Sequence, residues 1–258
     1  MGARQETSPL QAEPVLQRNR LEVVVAESRA EVERCQRLRY EVFTADLGAR
    51  IATSRPGLDH DSYDAYCRHL YVRDNRTGAM VGTTRLLTSA GAVAAGGFYS
   101  AGEFDLRRVL SLPGRFLEVG RTCIHPDYRR GAAITTLWNG IAGMAIAEGS
   151  DYLIGCPSIP LGGGRAYALA VMDHLRAHYH VPESLRVVPR HPLPRDPELP
   201  AETEAVLPPL MKAYMRLGAR VCGEPFWDED FNVADVFILL ETGAITRRYA
   251  RHFFRESR

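Results

Sequence analysis

The sequence lacks a surplus of charge of either sign. Its 258 residues carry 32 Lys+Arg against 31 Asp+Glu, a formal net charge of +1. That balance makes no case for a protein that grips nucleic acid through its phosphates, although a local basic patch remains open. Paired cysteine spacing is also missing. Cys35, Cys67, Cys123, Cys156 and Cys222 are odd in number and widely separated, and no CxxC occurs. They read as five reduced thiols of a cytoplasmic protein. Long apolar runs are absent. No window approaches the ~18–20 uninterrupted apolar residues of a membrane span. Residues 1–18 hold no signal-peptide stretch; they are polar, contain Pro9 and Pro14, and are expected to be disordered. Neither an internal repeat nor a long low-complexity tract is present. The expectation is one domain over 19–258 in a soluble or peripheral chain.

What is there begins with a hydrophobic content of 45%, enough for a sizeable core. Residues 116–138 organise the rest. They read as an apolar strand carrying Glu118 and Arg121, a turn at His125-Pro126-Asp127, and a helix starting beside Arg129, Arg130, Gly131 and Ala132. A helix N-terminus offers free N–H groups and a positive dipole end. Adjacent arginines make it a seat for a phosphate.

Around that unit, 21–26 reads as a strand and 30–43 as a helix with an apolar face, with Ser28 and Glu31 forming a capping box. Arg39 and Phe43 share one face of it. The loop 46–66 holds Asp59, His60, Asp61, Tyr63 and Asp64. It lacks the acid and glycine spacing of a calcium loop, so no metal is expected. Strands at 69–73 and 80–87 flank a hairpin turn. Ser100 and Glu103 suggest the cap of a short helix running on through 106–112. A strand at 151–156 follows the central helix, so strand, helix and strand make a βαβ unit with parallel strands. A helix to about 178, a surface loop over 182–209, a helix at 210–217 ended by Gly218, an apolar strand at 234–240 and a basic helix after Thr246 complete the chain. The expected architecture is a mixed, largely antiparallel sheet flanked by helices, with a central βαβ unit, and not an alternating dinucleotide-binding pattern.

The order of these elements resembles the Gcn5-related N-acetyltransferase (GNAT) fold. The polar set Arg39, Phe43, Asp61, Asp64, Arg85, Glu118 and Arg121 resembles that of acyl-homoserine lactone synthases. A closer resemblance is to the bacterial N-acyltransferases that make lyso-ornithine lipid. It is carried by Gly96-Gly-Phe-Tyr-Ser100 through Glu103-Phe-Asp-Leu106, Leu117-Glu-Val-Gly-Arg121-Thr-Cys-Ile-His-Pro, Ile154-Gly-Cys-Pro-Ser-Ile159 and Asp230-Phe-Asn-Val-Ala-Asp235-Val. The segment from Leu207 to Ala219 and the tail from Arg248 to Phe253 also fit, so the resemblance spans roughly 20–254. It implies transfer of a 3-hydroxyacyl group from acyl carrier protein to the α-amine of ornithine. No tightly bound cofactor is implied, since the carrier's acyl-phosphopantetheine is itself the donor substrate. The wider family marks its phosphate loop with Arg/Gln-x-x-Gly-x-Gly/Ala. Here Tyr128 stands three residues before Gly131. That departure disfavours the pyrophosphate of coenzyme A and suits the single phosphate of a carrier protein.

Acyl transfer to an amine requires loss of a proton, a donor for the oxyanion, and alignment of the two partners. Glu118 is the candidate base; the competing reading is a structural carboxylate paired with Arg121 or Arg85. Arg121, three residues on, faces the other side of an ideal strand unless a bulge intervenes. The resemblance implies such a distortion, with the strands parting for the pantetheine arm and amides near Arg121 and Cys123 freed for the oxyanion. Arg39, Asp61, Asp64 and Arg85 either bind the amine or form an ion-pair network that orders the loop. Cys123 and Cys156 are read as buried small residues lining the thioester, with a covalent acyl-cysteine the less favoured alternative. Arg129 and Arg130, with Arg107, Arg108, Arg115 and Arg165, are candidates for a basic rim facing an acidic carrier. The last helix is a candidate for peripheral contact with the inner membrane face. Alternatives of the same chemistry acylate lysine, glycine, tyrosine or a homoserine-derived amine. An alternative of another class is a non-catalytic carrier- or lipid-binding module.

Overall fold

The computed structural model describes residues 20–195 and 205–244. The segment 1–18 and the basic helix after Thr246 lie outside the described residues. β-Branched residues open the chain as β1 (Leu21–Val25). α1 (Arg29–Leu47) follows, capped by the expected Ser28–Glu31 box and ended by Gly48 in the left-handed region at φ 65°. β2 (Arg68–Asp74) and β3 (Met80–Thr88) form the hairpin. Then come α2 (Ser89–Ala95), β4 (Phe104–Asp105) and β5 (Phe116–Ile124). α3 (Ala133–Ala147) leads to β6 (Tyr152–Gly155) and β7 (Ser158–Pro160). The remainder is α4 (Arg165–Tyr179), β8 (Val188–Pro189), α5 (Pro209–Leu217), β9 (Arg220–Val221), β10 (Phe226–Asp228), β11 (Val233–Asp235) and β12 (Ile238–Glu241).

The main sheet has the order β1-β2-β3-β5-β6-β12-β9. Its only parallel pair among the described residues is β5 with β6, joined by α3 as the βαβ unit. A second sheet of three strands runs β10-β11-β7. The apolar run expected as one strand at 234–240 is thus two. β11 pairs with β7 and β10, whereas β12 pairs with β6 and β9. The chain changes sheets at Val236 and Phe237, both buried. Periodicity cannot reveal this, because the segment is buried on either side of the switch.

Two further expectations need correction. Residues 99–102 form a single 3-10 turn whose N-cap is Phe98, so Ser100 caps nothing. Residues 106–112 stay in turns held by bonds such as Leu110 N to Leu106 O, 2.9 Å.

The feature that positions the site is a bulge in β5. Thr83 pairs with Cys123, but Arg85 pairs with Gly120, so β5 carries one extra residue between them. Arg121 takes φ 52°, a left-handed conformation that costs a non-glycine residue energy. The extra residue reverses the alternation of side chains. Leu117, Val119 and Ile124 join the core cluster under α3. Cys123, odd-numbered like Leu117 and Val119, packs instead with Leu38 and Val42 of α1. α1 and α3 therefore cover opposite faces of β5.

Candidate active site

Just before the bulge, β5 and β6 begin to part. Their pairing ends at Glu118 with Ile154, while β5 runs on to Ile124. A cavity of about 490 Å³ fills the gap, lined on one side by Val119 to Ile124 and on the other by Gly155 to Ser158. Its walls near α1, α3 and α5 are largely apolar and include Val42, Phe43, Ile134, Leu210 and Ala213. The further wall carries Arg85, Tyr99, Glu103, Glu118, Arg121, Asp228 and Asp235. An apolar arm and a polar arm thus meet along one parted strand pair.

Glu118 is buried and its carboxylate is occupied. Oε2 accepts from Tyr99 N at 2.7 Å, and Oε1 accepts from Ser100 N at 2.8 Å and closely from Ser100 Oγ. Burial pushes its carboxyl up, against the pull of those donors. The partners expected for a structural carboxylate, Arg121 or Arg85, are replaced by the backbone of the 99–102 turn. Glu118 fastens that turn to the cavity wall.

Arg121 comes onto the same side through the bulge. Its guanidinium lies 4.9 Å from the Tyr99 ring centre and 4.8 Å from that of Phe231. Nε is 3.3 Å from Asp59 and NH2 3.7 Å from Asp61. Burial works against its charge, but Tyr99, Asp59 and Asp61 outweigh it and hold the group cationic.

Arg39, Asp61 and Asp64 are not among the lining residues; they brace those that are. Arg39 is fully buried and reaches Asp59 at 2.7 Å and Asp64 at 3.0 Å. Arg85 donates to Asp61 at 2.6 Å and lies 3.3 Å from Asp64. Burial raises the Asp64 carboxyl, yet Arg39 and Arg85 prevail and bring it down to about 2. Of the two readings of this cluster, the geometry is that of the network, with Arg85 its face toward the cavity. Each of the three acids of this loop sits beside an arginine.

At the start of α3 no side chain caps the helix. Arg129 lines the cavity, bonds Ile124 O through Nε at 3.1 Å and pairs closely with Asp46. Arg130, Gly131 and Ala132 are exposed beside it. The wider basic rim is not one patch. Arg115 precedes β5 and Arg129 follows it, and nine strand residues put roughly 30 Å between them. Arg107 is tied to Asp105 and Arg165 lies over Trp227.

Cys123 lines the cavity with its thiol pushed up to about 12 by burial, and burial raises the Cys156 thiol well above its usual range. Such thiols are poor nucleophiles at neutral pH, which sets the acyl-cysteine alternative aside.

Sequence reasoning missed Tyr99, Phe231, Glu103, Asp228 and Asp235 as lining residues. Glu103 was read as a helix-cap partner. Asp235 had a visible signal, since it is the one acid inside the apolar run from Val233 to Leu240. Oxygens of Glu103, Asp228 and Asp235 lie within 4.8 Å of one another. Burial raises Asp235 to about 7, and burial with Asp235 nearby raises Glu103 well above its usual range.

A mixed sheet whose one parallel pair parts over a cavity, beside an uncapped helix N-terminus, defines the class of GNAT-fold acyltransferases. The family model of an acetyltransferase (GNAT) domain matches residues 38–139. Solved structures share the fold. The CoA-dependent acyl-homoserine lactone synthase BjaI superposes with a TM-score of 0.53 at 15% identity, over 90% of this chain and 88% of its own. FeeM, an N-acyl amino acid synthase from uncultured soil microbes, gives 0.50 at 12% identity, over 87% and 92%. Full-length relatives narrow the class. The L-ornithine N(alpha)-acyltransferase of Rhizobium meliloti (strain 1021) is 39% identical over 249 residues, 90% of this chain and 84% of that protein. That of Brucella abortus (strain 2308) is 34% identical over 257 residues, 92% and 90%. The chain belongs to the L-ornithine N(alpha)-acyltransferase family. It is an N-acyltransferase, so the non-catalytic alternative lapses. Among the described residues no helix is long and apolar enough to cross a membrane.

Proposed function

We propose that this enzyme moves a 3-hydroxyacyl group from acyl carrier protein to the α-amine of ornithine, giving lyso-ornithine lipid. The observation that carries the acceptor is the 33–39% identity to four L-ornithine N(alpha)-acyltransferases over about 90% of the chain. The donor is supported by the departure at Tyr128. In this reading the acyl chain occupies the apolar arm, and the pantetheine lies in the gap between β5 and β6. Its one phosphate meets Arg129 and Arg130 at the start of α3.

The α-ammonium first gives up one proton to solvent, and the free amine attacks the thioester carbonyl at the bulge. Its nitrogen lone pair forms the C–N bond, the oxyanion takes amides of the bulge between Arg121 and Cys123, and the C–S bond then breaks. The proton then lost by nitrogen ends on the pantetheine thiol. Arg121 supplies positive charge beside the reacting carbonyl. Glu118 acts as a positioning residue rather than a free base, because both of its oxygens are already engaged. Cytoplasmic placement, with peripheral contact at the inner membrane face, suits a soluble donor and a lipid product.

The test is reconstitution of the purified chain with 3-hydroxyacyl carrier protein, 3-hydroxyacyl coenzyme A and single amino acids, with products read by mass spectrometry. Carrier-dependent ornithine acylation is the expected result. Acylation of a different amine alone overturns the acceptor, and turnover with coenzyme A alone overturns the donor.

A further inference from the structure

Ornithine carries three charged groups, and the reaction consumes one of them. The carboxylate and the distal δ-ammonium must remain charged and be held. The cavity offers cations in Arg121 and Arg85. It also holds a group of acids that the transfer step leaves unused: Glu103, Asp228 and Asp235.

These three come from different elements. Glu103 follows the 99–102 turn, with its amide on Ser100 O at 3.1 Å. Asp228 ends β10, and Asp235 ends β11 in the same small sheet. All three line the cavity. Asp235 accepts from Ser158 Oγ at 2.5 Å, and Asp228 Oδ1 accepts from Phe231 N at 2.9 Å. Glu103 is different. It is 7% exposed, its carboxyl shares a hydrogen bond with the Cys156 thiol, and its Oε2 has no hydrogen-bond partner. A buried carboxyl oxygen without a hydrogen-bond partner is costly, and because Glu103 lines the cavity a ligand can supply that partner. Arg121 is ion-paired with Asp59 and Asp61, although its Nε makes no hydrogen bond.

We infer that Glu103, Asp228 and Asp235 together seat the side-chain ammonium of a diamino-acid acceptor and so select ornithine over neutral amino acids. The inference rests on the ornithine reading above. An ammonium has three N–H donors, one for each carboxyl group. The group seated there is the unreactive one. An anionic pocket favours the protonated amine, and a protonated amine cannot attack a thioester. The α-amine therefore points the other way, toward the bulge. Burial pushes both Glu103 and Asp235 to hold protons, with Asp235 adding to the push on Glu103 and Asp228 to that on Asp235. An arriving ammonium supplies the missing positive charge. Glu118 enters the same chain of contacts, because it fixes the turn from which Glu103 projects.

The experiment compares the wild-type protein with Glu103→Gln and Asp235→Asn, using 3-hydroxyacyl carrier protein as donor. Acceptors are ornithine and norvaline, which differ only in the δ-amine; norvaline is read as a substrate or as a competing inhibitor. The expected result is a rise of about tenfold or more in KM for ornithine in both variants. The norvaline constant should stay unchanged, showing an intact fold, and kcat should fall less than kcat/KM. An unchanged ornithine KM, or an equal loss with both ligands, overturns the inference. So does loss of wild-type activity on dialysis with EDTA that a divalent cation restores, since the acids would then hold a metal. Failure of the wild type to acylate ornithine at all sinks the acceptor reading itself, which separates the two failures.

Discussion

At the scale of single residues the site is governed by which carboxyl groups are free. Glu118 has the position of a base but the bonding of a structural anchor, with two main-chain amides and a hydroxyl on its oxygens. Glu118→Gln turns one acceptor oxygen into an NH2 that faces an amide donor. Thermal unfolding should show a loss of about 1–3 kcal/mol, with kcat falling in parallel. A base loss would instead give full stability and a dead enzyme. Asp235 obeys the opposite logic. Its carboxyl rises from 3.8 to about 7 in the fold, because of burial first and the nearby Asp228 second. Between those values the unfolded chain is ionised while the native group still holds its proton. Stability from this site is thus complete below about pH 4 and is lost as pH rises through 7. Asp235→Asn keeps an acceptor for Ser158 and removes the titration. The variant should melt at the same temperature as wild type near pH 4 and several degrees above it at pH 8. A calorimetric series across that range checks the crossover.

At the scale of elements, the bulge and the parted strands do the work. β5 and β6 remain close just past their last pair: a Cβ on Gly155 would lie 2.4 Å from Val119 O. That contact is with backbone, which cannot rotate away. Gly155→Ala should therefore push the strands apart where the thioester is proposed to sit. The expected loss is about 1–3 kcal/mol, with kcat/KM reduced more than stability. Wild-type activity in a correctly folded Gly155→Ala protein would place the reacting carbonyl elsewhere. Elements with strong local signals were readable from the sequence: the Ser28–Glu31 cap of α1, the hairpin, the βαβ unit and the Gly218 stop. The ones that were not have non-local causes. Ser100 and Glu103 match a capping box locally, but Glu118, eighteen residues on, captures the serine. The run from Val233 to Glu241 looks continuous, and only the partners β7 and β6 show that it changes sheets.

At the scale of the molecule, the candidate site is assembled from segments with no common motif. Arg39, Asp59, Asp61, Asp64, Arg85 and Arg121 belong to one helix, one loop and two strands. The sequence announced all of them but Asp59 as a set only through family resemblance, and could not tell a lining residue from a bracing one. The carboxyl trio draws on residues 103, 228 and 235; the small sheet brings Asp228 and Asp235 together, and the 99–102 turn brings Glu103 to them. The network has a global consequence. Arg39 is the buried cation that joins α1 to Asp59 and Asp64. Arg39→Met leaves two buried acids short of their main partner, a change worth about 3–5 kcal/mol. At about 2–4 °C per kcal/mol for a chain of this size, the melting temperature at pH 7 should fall by about 10 °C. Asp64 titrates at about 2 in the fold against 3.8 ordinarily, so its contribution is present above 3.8 and is lost as pH falls toward 2. Protonation also removes the unpaired charge that the substitution creates. The penalty of Arg39→Met should therefore shrink when both proteins are melted near pH 3 and followed by far-UV circular dichroism. A penalty of the same size at pH 7 and pH 3 would mean that Arg39 stabilises the fold by packing its stem, and not by neutralising these acids.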